Sequence, residues 1–205
     1  MVAAFALNLP PNQITLSMEE IFQFLSLIYP LSPGCVEYLR KAVKSRRVAK
    51  HEVVLRIGDV NHNLYFIKTG ALHCYYYVKD AEVSDWFFWE NETVVSIGSF
   101  YDQLPSEDCI VALEAAELFY ITKEHYDYIC FTFLEFNFIA RVLLEKYLNV
   151  FHGHARLIRK HLAAERYQLV LEKNPDMINR IPVGPLATWL NMEPETLSRM
   201  RGKRE

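Results

Sequence analysis

Glu195, Thr196, Ser198 and Arg199 place a carboxylate, two hydroxyls and a guanidinium within a span of five residues. On a helix Glu195 and Arg199 stand four apart and share one face. Groups of these types read hydrogen-bonding edges. A carboxylate accepts from cytosine N4, a guanidinium grips guanine O6 and N7, and hydroxyls reach base edges or phosphates. Arg201, Lys203 and Arg204 follow as charges suited to phosphate contact, which sets affinity without reading sequence. The residues around them explain how such a face would be held. Leu186, Ala187 and Leu190 give a preceding helix a small apolar side, Asn191 can take a left-handed turn, and Glu193-Pro194 opens a second helix whose Leu197 and Met200 lie back toward the first. Two short helices joined by a tight turn, with polar groups outward on the second, suit a major groove. The plainer alternative is an ordinary helix pair that docks onto a protein partner.

Other chemistries lack their residues. His152-Gly-His154 is the only His-x-His pair, and on a helix positions i and i+2 point to nearly opposite sides, so no metal site is expected there. His51, His62 and His73 are scattered. No Ser/His/Asp or Cys/His grouping, phosphate-cradling glycine loop or carboxylate pair argues for catalysis, and no enzyme and no cofactor is expected. Cys35, Cys74, Cys109 and Cys130 are widely spaced without Cys-x-x-Cys, which predicts small buried thiols in a reducing compartment.

The periodicity along the chain supplies the supports. From Ser17 to Val48 the pattern is helical, with Ile21, Phe24, Leu25 and Ile28 on one face and a break at Pro30 to Gly34. From about Val48 to Thr122 the period becomes two, predicting strands at 53–57, 64–68, 71–78, 83–89, 93–97, 109–112 and 117–121 with turn residues between. Gly58 and Gly70 fall at strand ends where positive φ is expected. The helical period returns at Lys123. A stretch from about 134 to 158 carries apolar residues on more than one face, with a weak point at Gly153. Leu144, Leu148, Phe151 and Ile158 form a stripe in excess of what one surface needs, which predicts pairing with a second copy. A helix over 161–173, closed by Asn174-Pro175, leads to the terminal pair.

The sequence therefore predicts an α+β chain: N-terminal helices with a jelly-roll-like β-roll over 1–133, a dimerisation helix over 134–160 and a helix-turn-helix over 161–205. Charge follows the same division. Residues 1–155 hold 12 Lys and Arg against 19 Asp and Glu, whereas 156–205 hold 10 against 6. An acidic body with a basic final segment suits a chain whose end alone meets a polyanion. The start, Met1-Val-Ala-Ala-Phe-Ala-Leu, lacks the basic residues and length of a signal peptide, and no membrane span is evident, so a cytoplasmic protein is expected.

This order of parts resembles the Crp/Fnr family of bacterial transcription regulators. Leu55-x-x-Gly58 and Tyr65-x-Ile67-x-x-Gly70 match the paired glycine turns of the family's cyclic-nucleotide-binding-type roll, and Pro194-Glu-Thr-Leu-Ser-Arg199 resembles the start of its recognition helix. The resemblance implies a homodimer on an inverted-repeat DNA operator, with Glu195, Thr196, Ser198 and Arg199 at the bases, although Pro194 departs from an arginine that some members carry. It also implies an effector pocket. Where the family has Gly-Glu for a ribose, this chain has Asn91-Glu92. Where it has a phosphate-pairing arginine, counting back from Ile110-Val-Ala-Leu113 gives Ser106, followed by Glu107 and Asp108. A hydroxyl beside two carboxylates repels a phosphate. The pocket is thus expected to be degenerate toward cyclic AMP, leaving an unidentified small molecule as the open effector. An iron–sulfur sensor is not expected, since Cys35 alone lies in the first seventy residues. An axial haem histidine could be only His73 or His154. The alternative to a DNA-binding regulator is a roll-containing ligand-binding or signalling protein whose terminal helices bind a protein partner.

Overall fold

The computed structural model describes residues 17–202. Helix α1 (Met18–Ile28) starts at Ser17, whose hydroxyl accepts from the Glu20 amide while the Glu20 carboxylate accepts from the Ser17 amide. This reciprocal cap satisfies two amides that lack helical partners. Ser32 caps α2 (Pro33–Ala42), with Pro33 pre-set at its first position.

Eight strands follow: β1 (Lys44–Val48), β2 (Val53–Leu55), β3 (Asn63–Thr69), β4 (Leu72–Val78), β5 (Ala81–Phe88), β6 (Thr93–Val94), β7 (Cys109–Ala112) and β8 (Ala116–Thr122). They pair as two antiparallel sheets in the orders β1-β8-β3-β6 and β2-β7-β4-β5. Val48, Tyr65, Ile67, Leu72, Cys74, Ile110 and Leu118 belong to one buried core that includes strands of both sheets. The alternation of the strands explains that core, because one face of each is apolar. Gly58 and Gly70 have φ of 89° and 93°. At Gly70 a Cβ would lie 2.6 Å from Ala116 Cβ and 2.7 Å from the Ala115 carbonyl oxygen, so the β3–β4 turn crosses the start of β8 where only glycine fits.

The remaining helices are α3 (Ile97–Asp102), α4 (Lys123–Thr132), α5 (Leu134–Lys160), α6 (Ala163–Lys173), α7 (Pro175–Arg180), α8 (Val183–Trp189) and α9 (Pro194–Gly202). The α+β architecture is the one read from the periodicity. Three elements differ from the sequence reading: β1 replaces a helical stretch to Val48, Ile97 opens α3 instead of ending a strand, and α7 intervenes after Pro175. Nor does α5 break at Gly153. Val150 and Leu157 are buried on either side of it, which holds the helix to its path. Among the described residues no helix is long and apolar enough to cross a membrane. The N-terminal leader reading falls on residues outside those described.

Candidate nucleic-acid interface and sensor roll

The turn between α8 and α9 is made by Asn191 at φ 52°, the left-handed conformation expected of it. Its amide donates to Thr188 (3.0 Å), and the Met192 amide donates to Ala187 (2.9 Å), which closes the end of α8. Leu186, Ala187, Leu190 and Leu197 are fully buried between the two helices and their support. Glu195, Ser198 and Arg199 are exposed, and Thr196 is half-buried. The structure thus brings these four onto α9 with three of them in water. Arg201 is half-buried, and its Nη2 donates to the Ile178 carbonyl at 2.8 Å, toward the last carbonyls of α7. Lys203 and Arg204 lie outside the described residues.

His154, together with residues to which the sequence reading gave no part in the site, seats this pair on the roll. Trp189 of α8 stacks on His154 of α5 with centroids 4.5 Å apart and meets the Trp86 ring of β5 edge-on at 5.7 Å. His154 Nε2 is 3.1 Å from the Trp189 carbonyl, and burial lowers the histidine's pKa, favouring its neutral form. The Ser84 amide donates to Thr188 Oγ1 at 3.1 Å. Arg180, ending α7, forms a two-bonded pair with Glu90 (3.0 and 2.9 Å), a further pair with Glu114, and lies over the Trp89 ring. Buried Arg166 donates to the Ile158 and Asn191 carbonyls. Apart from His154, and Trp86 and Trp89 in the aromatic run 86–89, composition marks these as core or surface residues and no spacing distinguishes them.

The residues assigned to the effector pocket form two hydrogen-bonded groups that no described bond connects. In the first, Ser96 donates to the Asp108 carboxylate at 2.6 Å, Ser106 donates to Ser96 at 3.0 Å, and the Asp108 amide donates back to Ser106. Ser106 is 4% exposed, so the cluster satisfies itself and offers no cation to a phosphate. Glu107 is exposed beside it. In the second, Asn91 turns with φ 69°, and Glu92 accepts from the Trp89 amide at 3.1 Å. Burial pushes the Glu92 carboxyl up to about 8, and neighbouring Glu90 adds to the rise, while the Trp89 amide opposes it.

A carboxyl whose folded pKa is raised binds its proton more tightly in the native state. Its contribution is complete below the ordinary value of 4.5 and is lost as pH rises through about 8. Glu92→Gln keeps an acceptor for Trp89 without the charge. It should match the unmodified protein at pH 4.5 and be the more stable by at least about 1 kcal/mol at pH 8.5, or about 2–4 °C in Tm. Melting curves at the two pH values check it; an equal offset at both would mean that the carboxyl does not titrate in the fold.

On α5, residues 137, 141, 144, 148, 151, 155 and 158 follow alternating steps of four and three, the spacing of a coiled-coil seam. Leu144 is 45% and Leu148 70% exposed. Ile158 is half-buried. Phe151, half-buried, meets the Trp86 ring edge-on at 4.9 Å and so packs at least in part against its own roll. His152 is exposed while His154 is turned inward, the divergence that i and i+2 on a helix require. His73 is 2.8 Å from Ser84 Oγ and stacked on Phe87, and burial drives its pKa down to about 4. Among the described residues no group of three His, Cys, Asp or Glu side chains is placed to hold a metal.

No protein-family model matches the chain, and no curated protein matches it by sequence. Solved structures do. The global regulator CLP of Xanthomonas campestris, described as c-di-GMP responsive, superposes with a TM-score of 0.66 at 21% identity over 84% of this chain and 91% of its own. FixK2 of Bradyrhizobium japonicum gives 0.66 at 15% identity over 78% and 83%. The catabolite activator protein of Thermus thermophilus gives 0.54 at 19% identity over 86% and 85%. The chain has the fold of Crp/Fnr-type regulators, a cyclic-nucleotide-binding-type roll with C-terminal helices.

Proposed function

We propose that the chain is a sequence-specific DNA-binding transcription regulator of Crp/Fnr type, a homodimer that reads an inverted repeat and does not respond to cyclic AMP. It is divided into a sensor roll over 1–133, a dimerisation helix over 134–160 and a DNA-reading part over 161–205. The observation that carries this reading is the outer face of α9, where Glu195, Ser198 and Arg199 stand exposed on a helix anchored by a fully buried Leu197. Such a helix has its apolar side occupied and its polar side free to enter a groove. The basic final segment and the α5 seam support the same reading, since a two-fold pair would present two heads. Selection from a random duplex pool tests it: an enriched palindrome is expected, and recovery of no motif would transfer the terminal helices to a protein partner.

The ligand side of the proposal has its own expected outcome. A cyclic phosphate in a buried site relies on a charge-assisted pair, and loss of such a contact costs about 2–5 kcal/mol. Here Ser106, at the position expected of the phosphate-pairing arginine, is engaged with Ser96 and the Asp108 main chain, and the nearby Asp108 carboxylate accepts from Ser96. Cyclic AMP and cyclic GMP should show no heat of binding in calorimetry at micromolar concentrations. The same argument covers cyclic di-GMP at this cluster. Tight binding of a nucleotide lost on Asp108→Ala would overturn it.

A further inference from the structure

Helices α6 to α9 are joined to the rest of the chain in two ways. One is covalent. Between α5 and α6 the backbone runs through His161 and Leu162, both extended, at φ −116° and −71°. Two extended residues make a joint that leaves the terminal helices free to swing as one body unless a second contact holds them. That contact is lateral, and Arg180 is its centre. Its guanidinium engages both oxygens of Glu90 (3.0 and 2.9 Å), pairs also with Glu114, and lies 4.8 Å from the centroid of the Trp89 ring.

These partners gather three loops of the roll. Glu90 follows β5, Glu114 stands between β7 and β8, and Glu90 Oε1 accepts in addition from the Gly70 amide of the β3–β4 turn at 3.0 Å. Burial pushes the Glu90 carboxyl up, but the Arg180 guanidinium and the backbone amides together outweigh it and hold the carboxyl below its ordinary value. It is therefore charged at neutral pH. A planar fork that meets two carboxylates and a ring fixes orientation as well as distance. The terminal helices have a core of their own in Ile178, Ile181, Leu186, Leu190 and Leu197, all buried, so the charge of Arg180 is directed outward to the roll. Nearby, the Ser84 amide donates to Thr188 and Trp189 stacks on His154. These contacts use α7 and α8 and leave Glu195, Ser198 and Arg199 of α9 exposed. The attachment orients the reading helix without covering it.

We infer that Arg180, gripping Glu90 and Glu114, is the positioning residue that fixes the separation and angle of the two reading helices in a dimer, and so determines which half-site spacing the protein accepts. This rests on the DNA-reading dimer proposed above. One extra base pair displaces the second half-site by about 3.4 Å and about a tenth of a helical turn. Heads fixed to their rolls reject that change, whereas heads on a two-residue joint follow it.

Arg180→Met in the full chain tests the inference, since it removes the charge and keeps much of the length. Docking is read without DNA. All three tryptophans, Trp86, Trp89 and Trp189, lie at this contact, so their emission should move to the red in the variant. Arg180 itself lies on Trp89, and the Ser84 amide is the reporter clear of the substitution; its hydrogen exchange should accelerate as Thr188 withdraws. On inverted repeats varied one base pair at a time, the unmodified protein should favour one spacing by about tenfold or more, and Arg180→Met should flatten this to about threefold or less, with affinity for an isolated half-site unchanged. Arg180→Lys, a charge without the fork, should fall between them and carries the same test where the methionine variant does not fold. Glu90→Gln with Glu114→Gln should reproduce the loss, and adding Arg180→Met to that pair should change nothing further. Parental emission and Ser84 exchange in the Arg180 variants would overturn the attachment. Variants that undock yet keep the parental spacing preference would overturn its role in spacing. An unmodified protein that binds no duplex, with emission and exchange still responding to Arg180→Met, would overturn the DNA reading and the spacing role with it, and leave the docking contact standing.

Discussion

Replacing Arg199 with alanine is expected to lower affinity for the selected operator by about 5- to 150-fold, the equivalent of roughly 1–3 kcal/mol, and to relax preference at one position of each half-site. Arg199 is exposed on α9 and free of any ion pair among the described residues. Its loss therefore removes a DNA contact without unpairing a carboxylate in the free protein. Glu195 lies one turn before it on the same face and should set a neighbouring base. Arg201 provides the contrast that geometry supplies. Because it donates to the Ile178 carbonyl, Arg201→Ala should act on the stability of the terminal helices and leave base preference unchanged. Lys203→Ala should weaken all duplexes alike and flatten the salt dependence. Binding measured over a salt series with operator and scrambled duplexes separates the three effects. An Arg199 variant that enriches the same motif with the same strength would count against base reading by α9.

The parts that were legible before the structure are those where chain chemistry is local. Asn191, Gly58 and Gly70 take the positive φ that their residue types allow, and the short apolar strand Cys109–Ala112 lies where the sequence reading placed it. Elements set by distant packing were not legible. Strand β1 reads Lys-Ser-Arg-Arg-Val with only Val48 buried, so its pairing along β8 leaves no apolar alternation to detect. Helix α3 is six residues long with no side-chain cap, and α7 is of the same length behind a proline that reads as a stop. The site divides in the same way. The polar face of α9 follows from its own periodicity, whereas Arg201 turns to a carbonyl twenty-three residues back. Trp189 stacks on a histidine thirty-five residues away. An apolar stripe likewise does not say which members face the roll. Phe151 and Leu148 look equivalent in sequence, and Trp86 decides between them.

That division shapes the second large effect. Leu148→Glu should convert a dimer into a monomer and lower operator affinity by about 10²–10⁴-fold. Leu148 is 70% exposed and Leu144 45% exposed on the α5 seam, an apolar pair that a single chain leaves wet. Burying one leucine contributes about 1.5–3 kcal/mol, two-fold symmetry counts it twice, and a glutamate in the seam would face its own copy. The loss in DNA binding is larger than any base contact because a monomer forfeits the effective concentration of its second head. Two heads on one duplex face stand about 34–36 Å apart, so the penalty should appear on the inverted repeat and vanish on an isolated half-site. Phe151→Glu cannot serve here, since it would also unseat Trp86 in the roll. His152→Glu is the matched control, an exposed α5 position off the seam. Sedimentation of the unmodified protein at tens of micromolar, on the order of concentrations that populate weak dimers, is the deciding measurement. A monomer there, or a Leu148 variant that sediments like the parent, would remove the two-fold arrangement and with it the reason to expect a palindrome.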